Sequence, residues 1–452
     1  MSEIIEVKEV NLYNAVYEAC LKANIYLPKE VYNAILVLGK NEQETKGKIN
    51  KIIKNCELAN KKQRPLCQDT GQVIVFLEIG RNMVFKTPPA QIINQAISDC
   101  YKENFFRKSV VKDAFFDRQN TQTNTPAIIY TEITDRKDIK IDLLIKGGGA
   151  ENMSTVKMLN PSATEEDIYN TIRNAVESAG ENACPPLFLG VGIGGTIDYA
   201  GVLSKKAFFT NEHSDLAQKI KNKLNQKLST KIADIKILSA QTHIACLPVC
   251  VTVNCHSSRH ASIVISENDY KITTEFAQNI QEEIATQNLQ EIHSNEIEKL
   301  KTLNKNEEIL LSGIIYTARD MAHKRLCELL EQKKSLPFEL KNSIIFYAGP
   351  CPKKESEPIG PIGPTTAKRM DKFAPILYDN GVLATIGKGN RDKNIEKSIK
   401  ENKAIYFSTQ GGIASLLQNC IKSCEVIAFE ELGAEAIYKL EVEKLPLKVE
   451  LI

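Results

Sequence analysis

Residues 10–27, VNLYNAVYEACLKANIYL, place apolar side chains three to four positions apart, the spacing of a helix with one buried face. The charged run NEQETKGKINKII carries a related pattern, so the first 60 or so residues are predicted to be helical. From Gln72 the texture changes. Short β-branched runs (QVIVFLEI, PAIIYTEI, IKIDLLIKGGG, PLFLGVGIGG, IKILSAQ, LPVCVTVNC) read as strands, several of them ending in glycine. Helical patterns such as QIINQAISDCYKEN and EEDIYNTIRNAVES lie between them.

Near Gln281 the pattern breaks again. EEIATQNLQEIHSNEIEKLKTLNKNEE is polar and poor in aromatics, the composition of an interdomain helix or linker, here taken as residues 281–305. Beyond it, strands LLSGIIYT, SIIFYAG, GVLATIG, AIYFS and EVIAFEEL alternate with helices, of which DMAHKRLCELLEQ is the clearest. The expected fold class is therefore α/β in two domains. A larger mixed α/β domain spans 1–280, and a smaller α/β domain of alternating strands and helices spans 306–452. No internal repeat is evident, and a site between two such domains is the natural place for a small ligand.

Composition narrows the function classes. The chain has 452 residues, 42% hydrophobic and 25% charged, as an ordinary soluble globular protein does. A formal net charge of +2 gives no global pull toward nucleic acid or membrane, so an anion site must be built from local charges. MSEIIEVKEV carries charges where a signal peptide needs an apolar run, and no stretch has the roughly 18 apolar residues of a membrane span. Twelve cysteines in so long a chain are too sparse for a secreted disulfide scaffold, which points to the cytoplasm.

Several short motifs carry candidate chemistry. RPLCQDTGQ (64–72) sets a cysteine, an amide, a carboxylate and a hydroxyl side by side before a strand, where Asp and Gly alone would make a turn. GVGIGG (190–195) satisfies G-x-G-x-x-G, with Glu212 about 20 positions on. Against a dinucleotide site, Pro185 and Pro186 shorten the strand and TIDYAGVL is a poor helix opening, which leaves close backbone packing as the other reading. KGGG (146–149) lacks the ending of a phosphate loop, although its N–H groups could still approach an anion. In CHSSRH, His256 and His260 have a zinc spacing if they lie on a helix, but without the glutamate or paired cysteines of a known zinc motif, so solvent-facing or hydrogen-bonded histidines are expected instead. Cys67, Cys184 and Cys255 have unusual neighbours, whereas cysteines 20, 56, 100, 327, 420 and 424 fall in core-like patterns. Arg107, Arg319, Arg369 and Lys388 sit at predicted strand–helix joins, where α/β proteins place ligand contacts.

Taken together, CQDTG, KGGGAENMS, NACPP with VGIGG, THIACLPV with NCHSSRHA, TARDMAHKR, YAGPCP, GPTTAKRMD and GKGNRD resemble the class I fumarases and the related L(+)-tartrate dehydratases. The likeness keeps motif order from about residue 10 to 450. The first part resembles the α subunit of the two-subunit form and the part after about residue 305 its β subunit, here fused. The resemblance implies an oxygen-sensitive 4Fe-4S cluster held by Cys67, Cys184 and Cys255, with one open iron acting as a Lewis acid toward the hydroxyl of malate. It implies a dicarboxylate clamp of Arg107, Arg319, Arg369 and Lys388, completed by Gln68 and Gly149. Asp69 and Thr365 match the family's catalytic pair, and His243 is implied to be close to substrate.

The implied reaction is reversible hydration of fumarate to S-malate by a homodimer, without nucleic-acid or membrane partners. Two features separate this chain from many relatives: Ala150 replaces a common serine, and THIACLPV follows the two-subunit lineage. L(+)-tartrate dehydration to oxaloacetate, or methylfumarate hydration, is therefore the alternative. An NAD-dependent dehydrogenase would rest on GVGIGG alone. A non-catalytic iron–sulfur or zinc protein would explain the cysteines but not the clamp.

Overall fold

The apolar spacing of the opening segment becomes the helix Glu9–Ile25, which buries Leu12, Ala15, Val16, Ala19 and Ala23 along one face. Helices Lys29–Asn41 and Lys46–Lys62 complete the helical start. The computed structural model describes residues 4–41, 45–210, 214–278, 280 and 289–452. The chain divides into two units, Met1–Gln281 and Glu282–Ile452, and both mix helices with sheets as expected.

In the first unit the strands are β1 (Ile5–Glu6), β2 (Gln72–Gly80), β3 (Met83–Val84), β4 (Ile128–Thr134), β5 (Ile139–Lys146), β6 (Thr155–Leu159), β7 (Leu187–Gly195), β8 (Ile232–Thr242), β9 (Leu247–Asn254), β10 (Arg259–Ile265) and β11 (Tyr270–Ile272). They form a five-stranded sheet in the order β11-β10-β5-β2-β4 and a four-stranded sheet in the order β6-β9-β7-β8, with β1 and β3 as a short pair. Alternation decides the inner face of the first sheet. Val73, Val75 and Leu77 of β2 and Ile141, Leu143 and Ile145 of β5 pack with helices Glu9–Ile25 and Pro89–Glu103 in one core. Each such side chain contributes roughly 1.5–3 kcal/mol when fully buried.

The second sheet buries Leu187, Leu189, Val191, Val249, Val251 and Val253 against helices Glu165–Ala179 and Asp215–Lys227. A helix also opens at Ile197, directly after the glycine run, where TIDYAGVL argued for none. The glycines admit it. A Cβ on Gly190 would stand 2.0 Å from the Ser204 carbonyl oxygen, and one on Gly192 would stand 2.1 Å from that of Ala200. The run therefore has the packing role, and Glu212 lies outside the described residues.

The second unit contains β12 (Gln290–His293), β13 (Glu308–Thr317), β14 (Ile344–Phe346), β15 (Ala384–Gly387), β16 (Ile405–Ser408), β17 (Ile421–Ala428) and β18 (Ile437–Leu451). Strands β12 to β16 pair in parallel in chain order. The long β18 pairs antiparallel with β17, β13 and β16, so β13, β14, β15, β16 and β18 close into a ring of pairings. Of the expected linker, residues 281–288 lie outside the described residues. Residues 290–301 differ from the expectation, forming β12 and the helix Ile297–Lys301, because Ile292 and Leu300 are apolar anchors buried completely. No helix among the described residues is long and apolar enough to cross a membrane.

Close helix-on-strand packing at Gly192 has a measurable consequence. Gly192→Ala should lower stability to urea by about 1–3 kcal/mol. Gly201→Ala, on the helix Ile197–Lys206 that packs on β7 and with nothing within 4 Å of its Cβ, should be neutral or slightly stabilising. Equal effects of the two substitutions would refute the packing role.

Candidate active site

The helix Lys46–Lys62 ends at Gln63 in a left-handed conformation, and residues 64–71 cross to the start of β2. Several peptides of this crossing are held from outside. Leu66 N–H donates to the Asn24 carbonyl (2.9 Å), and the Asn55 amide donates to the Leu66 carbonyl (2.9 Å). The Tyr101 hydroxyl donates to the Thr70 carbonyl at 2.5 Å, and Thr70 Oγ1 donates to the Arg107 carbonyl at 2.6 Å. Gly71 has φ +67°, and a Cβ there would stand 2.6 Å from the Lys146 carbonyl oxygen. Only glycine lets the chain enter β2 this close to the end of β5.

Asp69 is the charged centre of the crossing. Its Oδ1 accepts from Gly71 N–H (3.1 Å) and its Oδ2 from Gly148 N–H (2.9 Å). Arg107 Nη2 lies 3.8 Å from Oδ1, and Arg259 Nη2 donates to the Asp69 carbonyl at 2.6 Å. Burial opposes the charge of Asp69. The Arg107 and Arg259 guanidiniums and the two backbone donors outweigh it and hold the carboxyl below the usual carboxylate range. Asp69 is thus ionised at neutral pH, with its side chain 23% exposed. The glycine run approaches an anion as expected. The anion is this carboxylate and the donor is Gly148, while Gly149 lies within the short helical turn Gly148–Glu151.

Strand pairing sets where the three cysteine loops open. Phe188 of β7 faces Asn254 of β9, so the segment before β7 and the segment after β9 are neighbours, and His256 N–H donates to the Cys184 carbonyl at 3.2 Å. Gln72 faces Lys146, and Ile145 faces Arg259, which brings the loop holding Cys67 to the same end as the one holding Cys255. Lys146 ties the two sheets together, its ammonium donating to the Val253 carbonyl at 2.6 Å. Burial pushes the Cys67 thiol up to about 12, with Arg259 opposing and Cys255 adding to the rise. Among the described residues, no three His, Cys, Asp or Glu side chains are gathered closely enough to hold a metal ion. The loops meet without their side chains forming a ligand set.

His260 is hydrogen-bonded, as its sequence context favours, whereas His243 stands apart from the cysteine loops. His260 lies on β10, where a spacing of four does not share the face it shares on a helix, and its Nε2 is 2.8 Å from Glu30 Oε1. His243 follows β8, whose last residue, Thr242, faces Gly195 at the end of β7, whereas Cys184 precedes the start of β7. Nine residues of β7 separate the two ends, about 26 Å at a strand's rise per residue. Within one chain the structure does not bring His243 to the cysteine loops.

In the second unit the expected residues collect at the C-terminal ends of parallel strands, as α/β sheets place ligand contacts. Arg319 follows β13, the segment holding Thr365 returns beside the end of β14, and Lys388 follows β15. Lys388 N–H donates to the Thr365 carbonyl (3.2 Å), Ala367 N–H to the Lys388 carbonyl (2.9 Å), and Thr365 N–H to the Tyr347 carbonyl (2.6 Å). Arg369 forks onto Asp320, with Nε at 3.1 Å and Nη2 at 2.5 Å, and Arg319 Nη2 lies 3.2 Å from Glu435.

A family model described as fumarate hydratase matches residues 13–264, and another described as the fumarase C-terminus matches residues 262–451. The chain belongs to the class I fumarate hydratase family. It is accordingly an enzyme of the hydro-lyase kind. It is 28% identical over 439 residues to fumarate hydratase 1, mitochondrial, of Leishmania major, covering 87% of this chain and 79% of that one. It is 29% identical over 443 residues to the anaerobic class I fumarate hydratase of Escherichia coli, with 87% and 79% covered. A putative L(+)-tartrate dehydratase subunit alpha of Methanocaldococcus jannaschii is 34% identical over 279 residues, covering 56% of this chain and 96% of its own length.

For this class I fumarate hydratase family member, the sequence reading missed Asn24, Lys146, Arg259 and Asp320 as site-building residues. Two of them carried a signal: Arg259 stands four residues after Cys255, and Lys146 directly precedes the glycines. His323, in the TARDMAHKR motif, is buried with Nδ1–H donating to the Arg319 carbonyl at 2.9 Å. Burial pushes its pKa down to about 4, with the Arg391 charge adding to the shift. Its folded pKa lies below the unfolded 6.5, so the stability it allows is full above pH 6.5 and falls as pH drops toward 4. Between pH 7 and 4.5 the protein should lose about 2–3 kcal/mol more than His323→Gln in urea denaturation. Parallel losses would show that His323 titrates normally.

Proposed function

We propose that the protein catalyses the reversible hydration of fumarate to S-malate. The observation that carries the reading is Asp69, kept ionised by Arg107, Arg259 and two backbone N–H groups, two residues from Cys67 and at the junction of the two sheets of the first unit, where the Cys184 and Cys255 loops also open. The three thiols do not form a closed ligand set, but they lie on loops leaving neighbouring strand ends, and the cations beside two of them favour thiolates. Cys67 and Cys184 are buried, and the cationic Arg259 and Lys146 interact with the charges of Cys67 and Cys255 respectively. A 4Fe-4S cluster on Cys67, Cys184 and Cys255 would supply an open iron as Lewis acid for the substrate hydroxyl.

The chain's own groups divide the remaining work. Arg107, Arg319, Arg369 and Lys388 bind the two carboxylates of the substrate, and Gln68 and Gly149 complete the set. Asp69, as a carboxylate, accepts the proton from the malate carbon next to a carboxylate and returns it in the hydration direction. Thr365 is its partner, and a threonine hydroxyl needs an activating neighbour to exchange protons. The reading draws on residues of both units, and a cytoplasmic homodimer belongs to it. Dehydration of L(+)-tartrate is the second reading, favoured by the 34% identity to the putative tartrate dehydratase subunit alpha.

Protein purified without oxygen should convert fumarate to malate, followed optically, and lose that activity on exposure to air together with its visible absorption. Asp69→Asn should lower kcat by about 100-fold or more. Arg107→Lys should lower kcat/KM by about 10- to 100-fold, the equivalent of one charge-assisted bond. Malate formation by iron-free protein would remove the cluster from the proposal. Turnover of tartrate without fumarate would move it to the second reading.

A further inference from the structure

The second unit buries a complete arginine. The Arg391 side chain is 0% exposed, and its Nε donates to Asp371 Oδ1 at 2.6 Å. Asp371 Oδ2 accepts the Asp392 N–H at 2.9 Å, so both carboxylate oxygens are used by the 391–392 peptide. The guanidinium stands over two rings, 5.5 Å from the Tyr347 centroid and 5.0 Å from that of Tyr406. Its Nη1 reaches the Tyr378 hydroxyl and Thr385 Oγ1 at 3.5 and 3.4 Å. A buried charge is tolerated only where its surroundings over-determine its place, and this one is fixed from four sides.

What it joins gives the pair its meaning. Asp371 ends the turn Ala367–Met370, which carries Arg369, and Arg391 lies three residues beyond Lys388. At their other ends the same two segments are joined by the backbone bonds between Thr365, Ala367 and Lys388. Tyr406 OH donates to the Gly389 carbonyl at 2.7 Å, next to Lys388, and Tyr347, under the guanidinium, supplies the carbonyl that holds Thr365 N–H. The two segments are therefore closed at both ends, by a backbone bridge and by a buried ion pair.

We propose that Arg391 and Asp371 are positioning residues for the reaction: their buried pair, walled by Tyr347 and Tyr406, sets where Lys388 stands. The proposal rests on the reading that Lys388 works on a dicarboxylate. Arg391 touches no substrate in it and acts through Lys388.

The test uses the full-chain holoenzyme and measures kcat and KM for fumarate in Arg391→Lys, Asp371→Asn and Tyr406→Phe, each alone and combined with Lys388→Met. Iron content and melting temperature are recorded for every variant. Arg391→Lys keeps the charge and loses the fork, and should lower kcat/KM by about 10- to 100-fold with iron content unchanged. In the Lys388→Met background the same substitution should cost less than about 2-fold, because its effect travels through Lys388. Tyr406→Phe keeps the ring and should show a smaller loss, of about 2- to 5-fold, that vanishes in the same background. If Arg391→Lys does not fold, Tyr406→Phe decides. Equal fold losses in both backgrounds, or losses that only follow melting temperature, would overturn the positioning role. Wild-type protein that turns over neither fumarate nor tartrate would remove the reading beneath it instead.

Discussion

Where the two sheets of the first unit meet, a lysine ammonium sits 2% exposed and donates to a backbone carbonyl, and the site's geometry depends on that junction. Lys146 ends β5 in the five-stranded sheet, while Val253 lies near the end of β9 in the four-stranded sheet. A buried ammonium is costly unless it is bonded and paired. Lys146 meets both needs, through the Val253 carbonyl and through Glu151 at 3.4 Å, with Lys205 sharing the same carboxylate at 3.0 Å. Burial still pulls its pKa down to about 8. Because the cysteine loops leave from these strand ends, fixing one sheet's edge against the other fixes where Cys67, Cys184 and Cys255 begin.

The same logic repeats one layer out. Arg259 is 1% exposed, and its guanidinium spans the Asn24 side chain at 3.2 Å and the Asp69 carbonyl at 2.6 Å. A helix from the start of the chain, a strand from position 259 and the loop at 69 are thereby tied through one planar group. Bidentate, always-charged arginine suits this role better than lysine, whose single ammonium cannot hold two acceptors in fixed directions. The carboxylate of Asp69 accepts from the Gly71 and Gly148 N–H groups and lies beside Arg107.

Much of this was legible in the sequence, and the remainder has a common cause. Most of the strands that surfaced as β-branched runs are central strands with buried faces, such as β2, β5, β7 and β9, although the edge strands β4, β8 and β17 surfaced too. β18 did not surface, because its buried Ile437, Leu440, Val442, Leu445, Leu447 and Val449 alternate with lysine and glutamate and include a proline in the run. Chemistry-bearing residues were legible where an uncommon neighbour marked them, as in CQDTG. Lys146 and Arg259 stood near such motifs, but their burial was not legible, since a lysine ending a strand normally reaches solvent, and the meeting of two sheets puts this one inside. His243 shows the converse. A motif gives residue type and order, whereas strand direction decides at which end of a sheet the residue emerges.

The arginines of the second unit pose a problem that a motif cannot state. A site for a dianion needs several cations close together, and bare guanidiniums would repel one another and move with the solvent. Here each is held by a carboxylate: Arg369 by Asp320 through Nε and Nη2, and Arg319 by Glu435. A guanidinium carries five N–H groups in a fixed fork, and the Asp320 pair engages those on Nε and Nη2. The fork is therefore oriented before any ligand arrives, and a bound carboxylate need not meet the entropy of ordering it. Asp320 adjoins Arg319 in the chain, so one residue's carboxylate orients Arg369 from the very turn that carries the other arginine. Acidic residues inside a basic motif would weaken a simple anion trap, but here they fix the directions of Arg369 and Arg319, which is what the proposed clamp requires.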